Sequence, residues 1–477
     1  MGTRGTPTGV CATSGGGVKA KGLGDGFPLS VESIAKLRLT LPPGHSRAIA
    51  RSTHLCAARF LMSAVVLCLL LSGPAWGAFR AATAARDVTP EKLLPVSGGM
   101  GPSEPVTKKI GKLTVRALVL ENGNTRVAIC STDFLGFPSV LGNKVRSQVK
   151  GIPAENILIG ATHNHSAPDC YGFPDAGGKT ACDVEYLNSV CAKLAEAIND
   201  AAGNLQSAKV KIATGQARGK IAYNYYAEKL YDPRCHVIQF LGADSKPIAT
   251  FVNYACHPEI IGPDQKIMSP DFVGPLYDRI EERKAGTGIF MNSALGGMVT
   301  ADCRGPNGKD IQTWDECIRI GSLLADEALR IIADAPVQEN PILFCANTTI
   351  EFPIQNDAMR AVVKLSPLGF KMDDRGIVAT QVNVVNLGDA QMLTIPGEAL
   401  PNIGHYLKRK MHGEHNLLLG LTNDAFGYIL ARADWNSFER YSYITRTSLG
   451  EMTGEILMDK AVEFVDKCPR PPTRQPR

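Results

Sequence analysis

Downstream of residue 86 the apolar positions fall into two recurring patterns. Short apolar runs rich in β-branched residues, bounded by Gly, Pro or Asn, predict strands at 113–120, 126–132, 156–162, 236–241, 248–255 and 288–291. The same signal recurs at 342–350, 381–385, 391–395 and 417–421. Longer segments with a 3.6-residue period predict helices at 184–200, 314–335, 401–409 and 448–466. In the last of these, Ser448 and Glu451 have the spacing of a capping box, and Leu449, Met452, Ile456 and Phe464 form one apolar face. Strands and helices alternate with no internal repeat and no linker. The pattern predicts a single α/β domain over residues 78–468, with mixed sheets and flanking helices, although that length exceeds the usual domain size.

Four predicted strands run into groups that bind metals. The run 157–159 leads to His163 and His165, and 248–255 leads to His257 and Glu259. The run 391–395 leads to Glu398, and 417–421 leads to Asn423, Asp424 and Tyr428. Carboxyl ends of strands gather at one edge of an α/β sheet, which puts a metal site at these ends. If the strand continues to residue 165, side chains two apart leave it on the same side, so His163 and His165 would face one centre. Two imidazoles, a carboxylate and a phenolate suit zinc and leave room for a water. Each residue alone has a plainer reading: Glu398 could open the following helix, Tyr428 could be core, and the histidines could sit on a solvent-facing loop.

Composition changes the picture mainly at the N-terminus. Residues 60–71 form an apolar run with Arg51 and Arg59 before it and the small residues Ala75 and Gly77 after it. This matches a cleaved export signal; the other readings are a membrane anchor, if it stays uncleaved, and a buried helix. The expected leader is 1–77, with Met62 as an alternative start. The whole chain has a net charge of +5, yet residues 1–77 hold eight Lys/Arg and two Asp/Glu, so the remainder is close to neutral. The basic balance therefore belongs to the leader and gives no argument for nucleic acid as a partner. Ten of the thirteen cysteines follow Gly77. Cys170 with Cys182 and Cys303 with Cys317 bracket short loops that could pair, while Cys130, Cys191, Cys256 and Cys345 sit in apolar contexts suited to buried thiols. The Pro- and Arg-rich stretch 469–477 is expected to be unstructured.

Other catalytic signatures are absent. There is no HExxH, and Ser293 lacks the flanking glycines of a nucleophile elbow. Gly177-Gly178-Lys179-Thr180 ends like a phosphate-binding loop, but its first glycine position is Phe173 and no strand leads into it.

Taken in order, these pieces resemble the catalytic domain of the neutral ceramidase family. The likeness begins at Arg86-Asp87-Val88-Thr89-Pro90 and continues through Ile129 to Asp133. It is strongest at Ala161-Thr162-His163-Asn164-His165-Ser166-Ala167-Pro168. Asn253 to Pro258, Ser269 to Gly274, Pro396-Gly397-Glu398, Asn423 to Tyr428 and Glu439-Arg440-Tyr441 complete it. The resemblance implies one Zn2+ held by His163, His257, Glu398 and Tyr428, with His165 orienting water or substrate. It implies hydrolysis of the amide of an N-acyl sphingoid base, a lipid or small-molecule substrate, and transient contact with a membrane surface. Tyr428 or His165 would stabilise the developing oxyanion. Two positions depart from the family pattern. Gly297 stands where the family has an acid, leaving Thr300 as the nearest hydroxyl and Asp302 as a shifted carboxylate. Tyr225 stands where the family has an arginine. The expected chain also lacks the C-terminal β-sandwich domain that the family adds. These departures leave open a zinc hydrolase acting on another amide or ester, or a non-catalytic zinc-binding protein.

Overall fold

The structure, a computed structural model, describes residues 78–175 and 177–473. The apolar run 60–71, the rest of the expected leader and residues 474–477 lie outside the described residues. Within the unit Ala75–Arg477 the central element is a nine-stranded mixed sheet. Its strands are β1 (Arg80–Asp87), β2 (Thr114–Asn122), β3 (Thr125–Thr132), β4 (Ile157–Ala161), β5 (Gln206–Gln216), β6 (Arg234–Gly242), β7 (Pro247–Tyr254) and β8 (Thr287–Asn292). They lie in the order β8-β7-β6-β5-β1-β2-β3-β4, and Val337–Gln338 adds to β5. The edge pairs β3–β4 and β7–β8 are parallel and the other pairs along this order are antiparallel. A second sheet is built from β9 (Leu343–Pro353), β10 (Ile377–Leu387), β11 (Ala390–Thr394) and β12 (His415–Leu419), in that order, with only β11–β12 parallel.

Among the described residues the helices are α1 (Ser139–Arg146), α2 (Val184–Gly203), α3 (Val273–Glu282), α4 (Trp314–Ile332), α5 (Asp357–Leu365), α6 (Pro401–Lys410), α7 (Ser442–Arg446) and α8 (Thr453–Lys467). Strand alternation decides how the layers stack. On β2, Val115, Ala117 and Val119 join Leu187, Leu276 and Ile320 of the helices, while Leu118 and Leu120 point the other way, into Val385, Leu387, Met392 and Leu417 of the second sheet. The far face of the second sheet buries Val382, Val384, Leu393 and Leu418 against Ile403 and Leu407 of α6 and Leu457 of α8. The result is four layers: helices, large sheet, small sheet, helices. Both faces of the large sheet are covered, which explains the near-continuous apolar runs along β2 and β3.

Two parts of the sequence reading change. The final helix starts at Thr453, after the Ser448–Glu451 box, and Met452 takes the cap position. The box does not form because the Glu451 N–H bonds Gln355 Oε1, and the Ser448 hydroxyl is buried without a partner. All ten described cysteines are free thiols, including Cys170, Cys182, Cys303 and Cys317. Of the expected unstructured tail, residues 469–473 carry no regular element, but the Pro469 carbonyl accepts a hydrogen bond from Asn386 and Pro471 is buried.

Candidate metal centre

β4 stops at Ala161, and His163 follows in the left-handed region at φ 68°. The two histidines therefore do not share a strand face as the sequence suggested. A turn brings them together, and their rings meet edge to face at 4.8 Å. The turn is fixed by main-chain bonds: Thr162 N–H to Thr132 O, Asn164 N–H to Phe134 O and His165 N–H to Pro258 O. His257 follows β7, and its N–H and ring Nδ1 both bond the Val299 carbonyl, at 2.8 Å each. One side chain joins these strand ends. The Asn292 amide donates to Thr162 O and Cys256 O, both at 2.9 Å, and its oxygen accepts from Cys256 N–H.

Glu398 and Tyr428 arrive from the second sheet. Glu398–Ala399 and Tyr428–Ile429 form a two-residue parallel pair in which these two residues are register partners. Gly397, in the Pro-Gly-Glu motif, permits this approach: a Cβ there would lie 2.5 Å from the Gly427 carbonyl.

His163 bonds the Leu135 carbonyl through Nδ1 at 2.7 Å, as His257 bonds Val299, so both direct Nε2 inward. Glu398 Oε2 lies 3.3 Å from His163 Nε2 and 3.2 Å from His257 Nε2, and the Tyr428 hydroxyl lies 3.4 Å from His257 Nε2. A tetrahedral zinc with bonds of roughly 2.0–2.1 Å has ligand–ligand edges of about 3.3–3.4 Å. Three independent separations match that edge, so the donor set fits the ion that the sequence reading assigned to it. His165 belongs to the same group: one ligand atom from each of His163, His165 and His257 lie within 4.8 Å of one another. His165 Nδ1 faces Glu259 Oε2 at 3.4 Å, and its Nε2 is buried without a hydrogen-bond partner.

The electrostatics follow from burial. Burial opposes ionisation of Glu398, but the His163 and His257 imidazoles outweigh it and hold the carboxyl well below the ordinary range. Burial, then His163 and His257, push His165 well below the usual imidazole value and keep it neutral. For His257 burial is outweighed by Glu259 and Glu398, which raise it. Burial, then Glu398, push the Tyr428 phenol up, and it donates to Met298 Sδ at 3.1 Å.

A cavity of about 60 Å3 opens over this centre, lined by His163, His165, Glu398 and Tyr428 with Leu135, Tyr171, Met359, Val362 and Tyr443 among others. Thr300 is not in this lining. It sits on the short strand Val299–Ala301, half-buried, between inward-facing Val299 and Ala301. Asp302 is tied to Arg304 at 2.8 Å and to Lys220. Gly297 turns at φ 68°, and Met298 is the residue this loop delivers to Tyr428. Tyr225 is exposed, and its carbonyl accepts from Arg440. The structure thus brings together the side chains of His163, His165, His257, Glu398 and Tyr428, while Thr300 meets the site through its backbone, as the bridge partner of His257. Asn292 and Met298 are contributors that sequence reasoning did not name, and Glu259 was named at its strand end without a role. For Glu259 the signal was its place two residues after His257; an asparagine joining strand ends has no sequence signal.

No protein-family model and no curated protein matches the sequence. Solved structures do. The chain is similar to neutral ceramidase from Pseudomonas aeruginosa at 17% identity, with a TM-score of 0.68 over 84% of this chain and 76% of that one. It is similar to a ceramidase complexed with C2 at 16% identity, with a TM-score of 0.64 over 83% of this chain and 77% of that one. The fold is that of the neutral ceramidases.

Proposed function

We propose that the protein is a zinc-dependent hydrolase that cleaves an amide bond. The observation that carries this reading is the convergence of His163, His257, Glu398 and Tyr428 at tetrahedral-edge separations beside the unpartnered His165 Nε2. The ceramidase fold supports it. A bound zinc would polarise the carbonyl and lower the pKa of a water.

The chain's own groups do the rest. The Leu135 and Val299 carbonyls hold the two Nδ1–H groups, which leaves each Nε2 lone pair directed inward. With Nδ1–H turned to Glu259, neutral His165 presents a lone pair at Nε2 and takes a proton from the attacking water. The water oxygen bonds to the carbonyl carbon, the C–N bond breaks, and the proton on His165 passes to the leaving amine. Apolar Leu135, Met359 and Val362 exclude bulk water from the site.

The ceramidase complexed with C2 supports a lipid-like substrate. A second reading, hydrolysis of a smaller amide or ester, is favoured by the 60 Å3 cavity. Metal analysis of the purified protein, followed by assays on N-acylsphingosines, short amides and esters, tests both. Lack of near-stoichiometric zinc sinks the whole reading, and ceramide turnover removes the second. Export is our reading of the 60–71 segment; N-terminal sequencing of the mature protein tests it.

A further inference from the structure

The cavity over the imidazoles admits a carbonyl and little more, since ligand pockets usually span about 300–1,000 Å3. It shares Tyr171, Met359, Val362 and Ala425 with a second cleft of about 530 Å3, which does fall in that range. The cleft has two unlike walls. One is apolar: Met359, Val362 and Val363 of α5, with Leu368 and Phe370 beyond it. The other carries Arg146 and Lys144 of α1, with Lys371 at the exposed edge.

Arg146 is the informative residue. It is only 9% exposed, and every group it bonds is neutral: the Ile157 carbonyl, the Asn143 side chain and the Asn423 side chain. Asp424 shares the wall and acts on Arg146 through space, but its Oδ1 accepts from the Ser139 and Ala425 N–H groups and makes no bond to the guanidinium. A buried guanidinium whose bonded partners are all neutral gains from an anionic ligand group placed against it.

We propose that this cleft binds the amine part of the substrate, with an apolar side chain against Met359, Val363 and Phe370 and an anionic group on Arg146. The substrate class is then a short-chain N-acyl amine whose amine part carries a carboxylate or similar oxyanion, an N-acyl amino acid being the simplest. The scissile carbonyl reaches the imidazoles through the neck at Tyr171 and Met359. The assignment rests on the hydrolase reading above.

Two non-hydrolysable probes test it by calorimetric titration into the zinc-loaded full chain: N-methylsulfonyl-phenylalanine and its neutral alcohol, N-methylsulfonyl-phenylalaninol. The anionic probe should bind roughly ten- to a hundredfold tighter, as one hydrogen bond to a charged group allows. Arg146→Gln should abolish that ratio. Because Arg146 also braces Ile157 and Asn423, Val363→Trp serves as the second variant; it should fill the cleft and weaken both probes. Equal affinity for the two probes, or insensitivity to both substitutions, overturns the proposal. Turnover of p-nitrophenyl acetate by the unaltered protein tests the hydrolase reading alone. Binding without ester turnover would keep the anion subsite and remove the hydrolase; ester turnover with equal probe binding would do the reverse.

Discussion

Glu398 and Tyr428 are register partners in a parallel strand pair only two residues long, and both side chains point at His257. The pair follows β11 and β12 of the second sheet, whereas His163, His165 and His257 follow strands of the first. The centre therefore exists only where the two sheets meet.

That placement separates ligands from other residues. His163→Ala, His257→Ala and Glu398→Gln should each remove zinc from the purified protein. Tyr428→Phe should keep zinc, since three protein ligands suffice for a catalytic site, while losing activity. Metal content by mass spectrometry, read beside turnover, checks both halves.

His165→Ala should leave zinc near stoichiometric and lower kcat by about 10²–10⁴-fold, the range for a lost general base. Glu259→Gln should lower it less, by about 10–100-fold, as expected for a group that orients an imidazole. Equal losses in the two variants would argue against His165 acting directly.

Gly297→Asp restores the acid of the family pattern, yet it should not raise activity. The position lies at φ 68°, and a Cβ would meet Leu400 at 3.2 Å. The substitution should cost about 1 kcal/mol or more. A lower denaturation midpoint with unchanged or reduced turnover is the expected result.

Asp271 gives a pH-dependent term. Burial raises its carboxyl from 3.8 to about 7, although Ile261 and Phe272 N–H groups bond it. Because the folded value is the higher one, the folded state binds the extra proton, and this contribution is fully present below pH 4 and lost as pH rises to about 7. Asp271→Asn should remove that slope, which amounts to at most roughly 4 kcal/mol. Chemical denaturation of both proteins across pH 4–8 measures it; parallel profiles would show that Asp271 contributes nothing.

How much of this was legible beforehand follows from particular residues. Most of the ten strands found in the sequence are buried on both faces or end at the site, where aliphatic runs are dense; β9, half-exposed along its length, is the exception. β1, an Ala- and Arg-rich segment, and β5, in which Lys209 and Lys211 interrupt Val210 and Ile212, were missed. Both are paired on two sides, so tertiary context overrides their weak propensity. α1, α3, α5 and α7 were missed too; α5 is half-exposed and buries little beyond Val362. The residues that converge at the site were readable because strand ends concentrate chemistry. What joined them was not: Asn292, the left-handed turn at His163 and the Met298 contact depend on chain crossings that no local pattern encodes.

The Asn292 amide bonds have a consequence for assembly. Thr162 and Cys256 are far apart in sequence, and Glu398 and Tyr428 lie farther still along the chain, so the donor cluster closes only after the long-range strand crossings are made. An ion met early in synthesis would find single imidazoles rather than a chelate. On the proposed zinc reading, loading would belong to the last stage of maturation, and a chain whose sheets have not docked would gain no protection from metal against degradation.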